Sequence, residues 1–156
     1  MKLDQVCNKN DEYYTPDYAI EPILEYIEPN SIIWCPFDQK HSNYVKVLSK
    51  EGHIVINSHL DDGGDFFKYF PKEHIQYIIS NPPYSLKYEV FKRLFDLSIP
   101  FAMLVGLDGI FGSKNRFNLF ANNSFEVLYF DKRIEFYSRG MVCNPPFAIG
   151  YITSQF

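Results

Sequence analysis

Cysteine is scarce in this chain: Cys7, Cys35 and Cys143 are an odd number with no CxxC pair, and the four histidines show none of the close spacings of metal sites. A disulfide framework and a zinc centre are therefore not expected, and a reducing cytoplasm is the expected setting. Long apolar runs are missing too. No stretch approaches the ~18 apolar residues of a membrane span, and the opening MKLDQVCNKNDEYY lacks the apolar run of a signal peptide. A cytoplasmic protein without membrane association is expected. There is no long basic block, which argues against strong sequence-blind binding to nucleic acid. No internal repeat or low-complexity segment occurs, and the eight glycines and ten prolines punctuate the chain rather than pooling in a linker.

What is present is the material of one globular domain over residues 1–156: 46% hydrophobic and 22% charged residues, with aromatics unusually rich at 18%. Most of those rings must fill a core. The net charge of −4 hides an asymmetry, since residues 1–75 carry 7 basic and 13 acidic side chains and residues 76–156 carry 8 and 6. An anionic partner should meet the second half, which holds Lys87, Lys92, Arg93, Lys114, Arg116, Lys132, Arg133 and Arg139.

Residues 1–14 read as an extended N-terminal arm. Thr15-Pro16 then reads as an N-cap with proline at the first helical position, and Ala19, Ile20, Ile23, Leu24 and Ile27 recur at helical spacing, which predicts a helix from about Asp17 to Glu28. Apolar runs at Ser31 to Cys35 and His53 to Asn57 bracket a helical stretch near Ser42 to Lys50. Tyr77 to Ser80 is a buried-strand candidate, followed by a helical pattern through Val90, Phe91, Leu94, Phe95 and Leu97. Phe101 to Val105 is a further strand, Lys114 to Phe120 a helix, and Phe125 to Phe130 and Phe147 to Ile152 close the chain as strands. This alternation predicts an α/β domain, a mostly parallel sheet with helices on both faces and an antiparallel last strand. Ligands of such sheets sit beyond the carboxyl ends of the strands. The segments Cys35 to Asp38, Asn57 to Leu60, Asn81 to Tyr84 and Gly106 to Gly109 should converge there.

Asn81-Pro82-Pro83-Tyr84 directly follows an apolar strand. Two prolines fix the backbone and remove two N–H donors, leaving the Asn81 side chain and the Pro82 carbonyl as acceptors with little freedom. Two such acceptors suit a planar amino group: they take both hydrogens and aim the nitrogen lone pair at an electrophile. Tyr84 adds a flat face for an aromatic base. A Pro-Pro loop in which Asn81 merely ends the strand is the structural alternative.

The motif in this context resembles that of class I S-adenosylmethionine-dependent amino methyltransferases, which act on adenine in DNA and RNA or on glutamine in release factors. The chain looks like the small phage-type DNA adenine methyltransferases, with Asp11-Glu12-Tyr13-Tyr14-Thr15-Pro16, Trp34-Cys35-Pro36-Phe37-Asp38, Asn81-Pro82-Pro83-Tyr84 and Asp131-Lys132-Arg133-Ile134 in that order. The resemblance covers about Asp11 to Ile152 and implies a single Rossmann-like class I methyltransferase domain with S-adenosylmethionine as cofactor. It places Tyr14, Thr15 and Pro16 at the methionine end of the cofactor, Cys35, Pro36, Phe37 and Asp38 in its first loop, and Asp65 and Phe66 beside its adenine. It gives Asn81, Pro82, Pro83 and Tyr84 the target amine and Phe136 the other face of the target base. Lys87, Lys132 and Arg133 would meet phosphates beside the target nucleotide, with Lys92 and Arg93 as further candidates.

The chain departs from that pattern in its first cofactor loop, which has no glycine, and at the end of the second strand, where Asn57-Ser58-His59 stands in place of an acidic residue. Either Asp38, Asp61 or Asp62 then supplies the missing contacts, or cofactor binding is weak or lost. A second copy, Asn144-Pro145-Pro146-Phe147, precedes strand-like residues and reads as a loop. No separate target-recognition domain is expected, so specificity would come from loops such as Gly106 to Asn115, a homodimer or an accessory protein. The expected partner is nucleic acid, DNA before RNA. A degenerate methyltransferase fold that binds protein or nucleic acid without catalysis, and an enzyme of RNA adenine or protein glutamine, are the alternatives.

Overall fold

The computed structural model of the chain describes residues 14–138, 141–143, 145 and 148–156. The expected arm, apart from Tyr14, thus lies outside the described residues, as do Cys7, Arg139 and the second Asn-Pro-Pro copy apart from Pro145.

The first helix, α1, spans Asp17–Leu24 and starts where expected, but its N-cap is Pro16, extended at ψ 152°, rather than Thr15, and no side chain caps the helix. It also ends before Glu28. Beyond Leu24 the chain continues in tighter turns, with Tyr26 N–H on the Ile23 carbonyl and Ile27 N–H on the Leu24 carbonyl, so Ile27 stays buried without belonging to the α-helix. Strand β1 (Ile32–Cys35), helix α2 (Asn43–Lys50) and strand β2 (Ile54–Asn57) follow. Ser42 starts α2 by accepting the Val45 N–H at 3.3 Å.

Strand β3 (Tyr77–Ser80) leads through the Asn-Pro-Pro-Tyr segment into α3 (Lys87–Leu97), then β4 (Phe101–Gly106), α4 (Lys114–Ala121) and β5 (Glu126–Tyr129). A two-stranded hairpin, β6 (Phe136–Ser138) and β7 (Met141–Cys143), precedes β8 (Ile149–Ser154). The hairpin was not expected, because its strands are three residues long and the region reads as polar. Its sequence signal is Gly140 between two short segments two residues apart.

Six strands form one sheet in the order β2-β1-β3-β4-β8-β5. β1 pairs in parallel with β2 and β3, and β3 with β4, whereas β8 runs antiparallel to both β4 and β5. The expected antiparallel last strand is therefore present, inserted between β4 and β5. Alternation along the strands divides the core. Ile33, Cys35, Ile79, Ala102, Leu104 and Tyr151 pack with Ile20 and Ile23 of α1 and Tyr44 and Leu48 of α2. Trp34, Ile78, Met103, Val105 and Ile152 pack on the other face with Val90, Phe91 and Leu94 of α3 and Phe120 of α4. The result is a mixed α/β arrangement with helices on both faces of a mostly parallel sheet, compatible with a Rossmann-like fold.

Candidate functional site

The carboxyl ends of β1, β2 and β3 are tied together at Asp38. Its backbone N–H donates to the Ser58 carbonyl at 3.1 Å, its carbonyl accepts from Asn57 Nδ2 at 3.3 Å, and its carboxylate accepts from Ser80 Oγ. Asp38 is buried, 8% exposed. A carboxylate so placed in a parallel sheet sits where ligands of such folds are held, and its negative charge is felt by its neighbours. The Cys35 thiol is pushed up by burial first and by Asp38 second. Burial is likewise the main reason that the phenols of Tyr44 and Tyr151, hydrogen-bonded to each other at 2.9 Å, are pushed up, with Asp38 adding to both.

Asn81 follows Ser80 at the end of β3, between β1 and β4 in the sheet. Its Nδ2 donates to Thr15 Oγ1 at 3.4 Å, which brings the Thr15-Pro16 segment to the Asn-Pro-Pro-Tyr segment across 66 positions of sequence. Its Oδ1 is buried and accepts no hydrogen bond among the described residues. A buried acceptor left open is costly, about 1–3 kcal/mol, and is the kind of group a ligand donor would satisfy. Pro82 is buried and Pro83 exposed. The Lys87 ammonium lies 5.5 Å from the centre of the Tyr84 ring and donates to the Gly106 carbonyl at 2.9 Å, joining the start of α3 to the end of β4. Burial lowers the pKa of Lys87, the Arg116 guanidinium lowers it further, and Asp108 partly offsets both.

Tyr14 is half-exposed and pairs through its backbone with Tyr137, giving and receiving a bond at 2.9 and 3.3 Å. Thr15 and Pro16 are buried beside Asn81, with the Thr15 carbonyl held by Asn43 Nδ2 at 2.8 Å. Among the first-loop residues, Cys35, Pro36 and Asp38 are buried and Phe37 is partly open. Thus Thr15, Asp38 and Asn81 do gather at the carboxyl rim, as do Lys87 and Gly106.

Three of the expected site residues are engaged within the fold. Phe66 is 3% exposed, its ring 4.9 Å from that of Phe37 and 5.5 Å from that of Trp34, with the Arg93 guanidinium 5.3 Å away. It is a core ring rather than an open flank for an adenine, and Phe67, 38% exposed, is the outward one of the pair. Asp65 is occupied in its own turn, accepting the Phe67 N–H at 3.0 Å. Phe136 is fully buried with Ile134 and Tyr151, because alternation along β6 turns it inward and Tyr137 outward. It offers no face to a base in this arrangement. Lys92 and Arg93 are also engaged elsewhere, in an ion pair with Asp96 at 3.0 Å and against Phe66 and the Tyr69 carbonyl.

Asp61 and Asp62 lie in a 3-10 turn, Leu60–Asp62, folded over the end of β2. Gly64 lets that turn close: a Cβ there would stand 2.7 Å from Ser58 Cβ and 3.1 Å from the His59 nitrogen. Lys132 rests over the Tyr18 ring at 5.0 Å, and with Arg133, Tyr129, Phe130 and Ile149 it lines a cleft of about 390 Å³. Since β5 ends and β8 begins there, the cleft opens on the same rim as Asn81. Ser80, Asn43 and the Tyr44–Tyr151 pair are contributors that sequence reasoning did not find. A serine ending a strand and an asparagine opening a helix carry no pattern that announces a distant partner.

No protein-family model matches the chain, and no curated protein matches it. Among the described residues no group of histidine, cysteine, aspartate and glutamate could hold a metal ion, and no helix is long and apolar enough to cross a membrane.

Proposed function

We propose that this protein is a Rossmann-like, class I S-adenosylmethionine-dependent methyltransferase that acts on the exocyclic amino group of adenine in nucleic acid, with DNA as the favoured substrate. The observation that carries the reading is the open, buried Oδ1 of Asn81, at the carboxyl end of β3 and beside the rigid Pro82 backbone. An acceptor pair at that position takes the two hydrogens of a planar amine and turns its lone pair out of conjugation. The Tyr84 ring beside it supplies a stacking face, and the base must leave a duplex to reach it. The proton is released after transfer, so no side chain has to act as base.

The donor set fits the cofactor. Asp38 is a buried carboxylate braced by Ser80, suited to an amino-acid ammonium, and the acidic turn at Asp61 and Asp62 follows the end of β2, where the Ser58 carbonyl takes the Asp38 N–H. Asp38 would hold the amino-acid end and the turn the ribose hydroxyls. When bound, S-adenosylmethionine supplies a methyl group on a sulfonium. Lys132 and Arg133 would meet phosphates from the cleft beyond β5, while Lys87 steadies Tyr84 and the β4 end.

The test is transfer of isotope-labelled methyl from S-adenosylmethionine to DNA, RNA and a glutamine-containing peptide in parallel. The reading expects label in DNA and a loss of about a hundredfold or more in Asn81→Ala, with little change in stability, because Asn81 makes one long bond. Label in RNA or peptide alone would move the substrate. No label from folded protein with any substrate would favour the binding-module alternative, for which the glycine-free cofactor loop speaks.

A further inference from the structure

An asparagine can serve as an amine acceptor only if its amide is turned the right way, since the flipped amide presents two hydrogens to a group that has two of its own. In this structure the orientation has a visible cause. Asn81 Nδ2 is held by Thr15 Oγ1 at 3.4 Å, and Oδ1 is left open. Thr15 in turn is fixed from α2 by Asn43 Nδ2 on its carbonyl at 2.8 Å, and by the backbone pairing of Tyr14 with Tyr137.

A hydroxyl can both give and receive. Here Thr15 Oγ1 accepts from the Asn81 amide, and the Asn43 bond to the Thr15 carbonyl fixes the residue that carries it.

We propose that Thr15 is a positioning residue for Asn81: its hydroxyl, accepting from Nδ2, keeps the Asn81 oxygen facing the site. The inference rests on the proposed amine-acceptor role for its functional consequence, but the orientation of the amide is a property of the protein alone. Two variants separate the hydroxyl from the fold: Thr15→Val keeps the shape and removes the bond, and Thr15→Ser keeps the bond.

The side-chain amide of Asn81 is followed by nitrogen-15 NMR, assigned by its disappearance in Asn81→Asp. Its hydrogens are expected to exchange with water at least tenfold more slowly in wild type and Thr15→Ser than in Thr15→Val. Equal exchange in all three overturns the proposal. If the protein transfers methyl groups, kcat falls tenfold or more in Thr15→Val, and Thr15→Ser restores it. A fall in both variants alike, or none in Thr15→Val, contradicts the positioning role. If no transfer is found in wild type, the methyltransferase reading fails and the exchange comparison alone decides this one.

Discussion

At the residue scale Ser80 matters for the rim, because it gives the buried Asp38 carboxylate a hydrogen bond. Hydrogen bonds to charged groups contribute about 1.5–3 kcal/mol. Ser80→Ala should therefore destabilise the protein by about 1–3 kcal/mol in urea unfolding, with the midpoint lowered and the slope unchanged. A loss below the error of the midpoint would mean that Asp38 draws its support from elsewhere. Residue-scale reading of the sequence had mixed success for a physical reason. Asn81, Thr15 and Asp38 lie in segments whose chemistry shows in short motifs, and they meet at the rim. Phe66 and Phe136 fail as open platforms because the inward or outward turn of a ring depends on the pleat and on partners far along the chain, such as Trp34 and Tyr151. Ser80, Asn43, Tyr44 and Tyr151 matter only through contacts 28 to 107 positions away.

At the scale of elements, two segments are sensitive. The turn after β2 closes over Ser58 and His59 only because residue 64 is glycine, so Gly64→Ala forces a Cβ to within 2.7 Å of Ser58 Cβ. Overpacking of this kind costs about 1–3 kcal/mol, and thermal unfolding should show the loss. His53, at the entry to β2, accepts the Ser31 N–H on Nδ1 at 3.3 Å, which only the neutral ring can do. Its pKa is lowered from the ordinary 6.5 by burial, with Glu51 opposing. The sign follows: above pH 6.5 both folded and unfolded forms are neutral and the stabilising bond is complete. As pH falls from there through the lower folded value, the unfolded chain takes up the proton first and stability drops. Stability measured from pH 7.5 to 5 should show this slope, and His53→Gln should flatten it. The main elements were legible in the sequence because helical spacing recurs over eight or more residues and the strands stand out as short apolar runs. The early end of α1 was not, since Ile27 is buried from a turn that mimics the helical period. Nor was the position of β8 between β4 and β5, because register and neighbour choice are set by the whole sheet.

For the molecule as a whole, the sheet order brings the ends of β1, β3 and β4 to one rim, and the cleft beyond β5 opens on it. This juxtaposition puts the proposed cofactor contact at Asp38 and the proposed amine acceptor at Asn81 on one rim. Calorimetric titration should give micromolar binding of S-adenosylmethionine and of S-adenosylhomocysteine. A ligand at a hundred times its Kd stabilises by about 2.7 kcal/mol, so the unfolding temperature should rise by several degrees with either compound. A Tm that does not respond to either would remove the cofactor from the account. Asp38→Asn should weaken binding of both compounds tenfold or more, by loss of charge at the ammonium site, while leaving the fold intact because the Ser80 bond has an oxygen still to accept it.

The central claim is that Asn81 holds an adenine amine for methylation. It is tested most directly by incubating duplex DNA with the protein and S-adenosylmethionine and measuring N6-methyladenine among the digested nucleosides by mass spectrometry. The account predicts methyladenine from the wild type and at least a hundredfold less from Asn81→Ala at equal fold and cofactor affinity. Methyladenine formed equally by both proteins, or by neither while both bind cofactor, would contradict it.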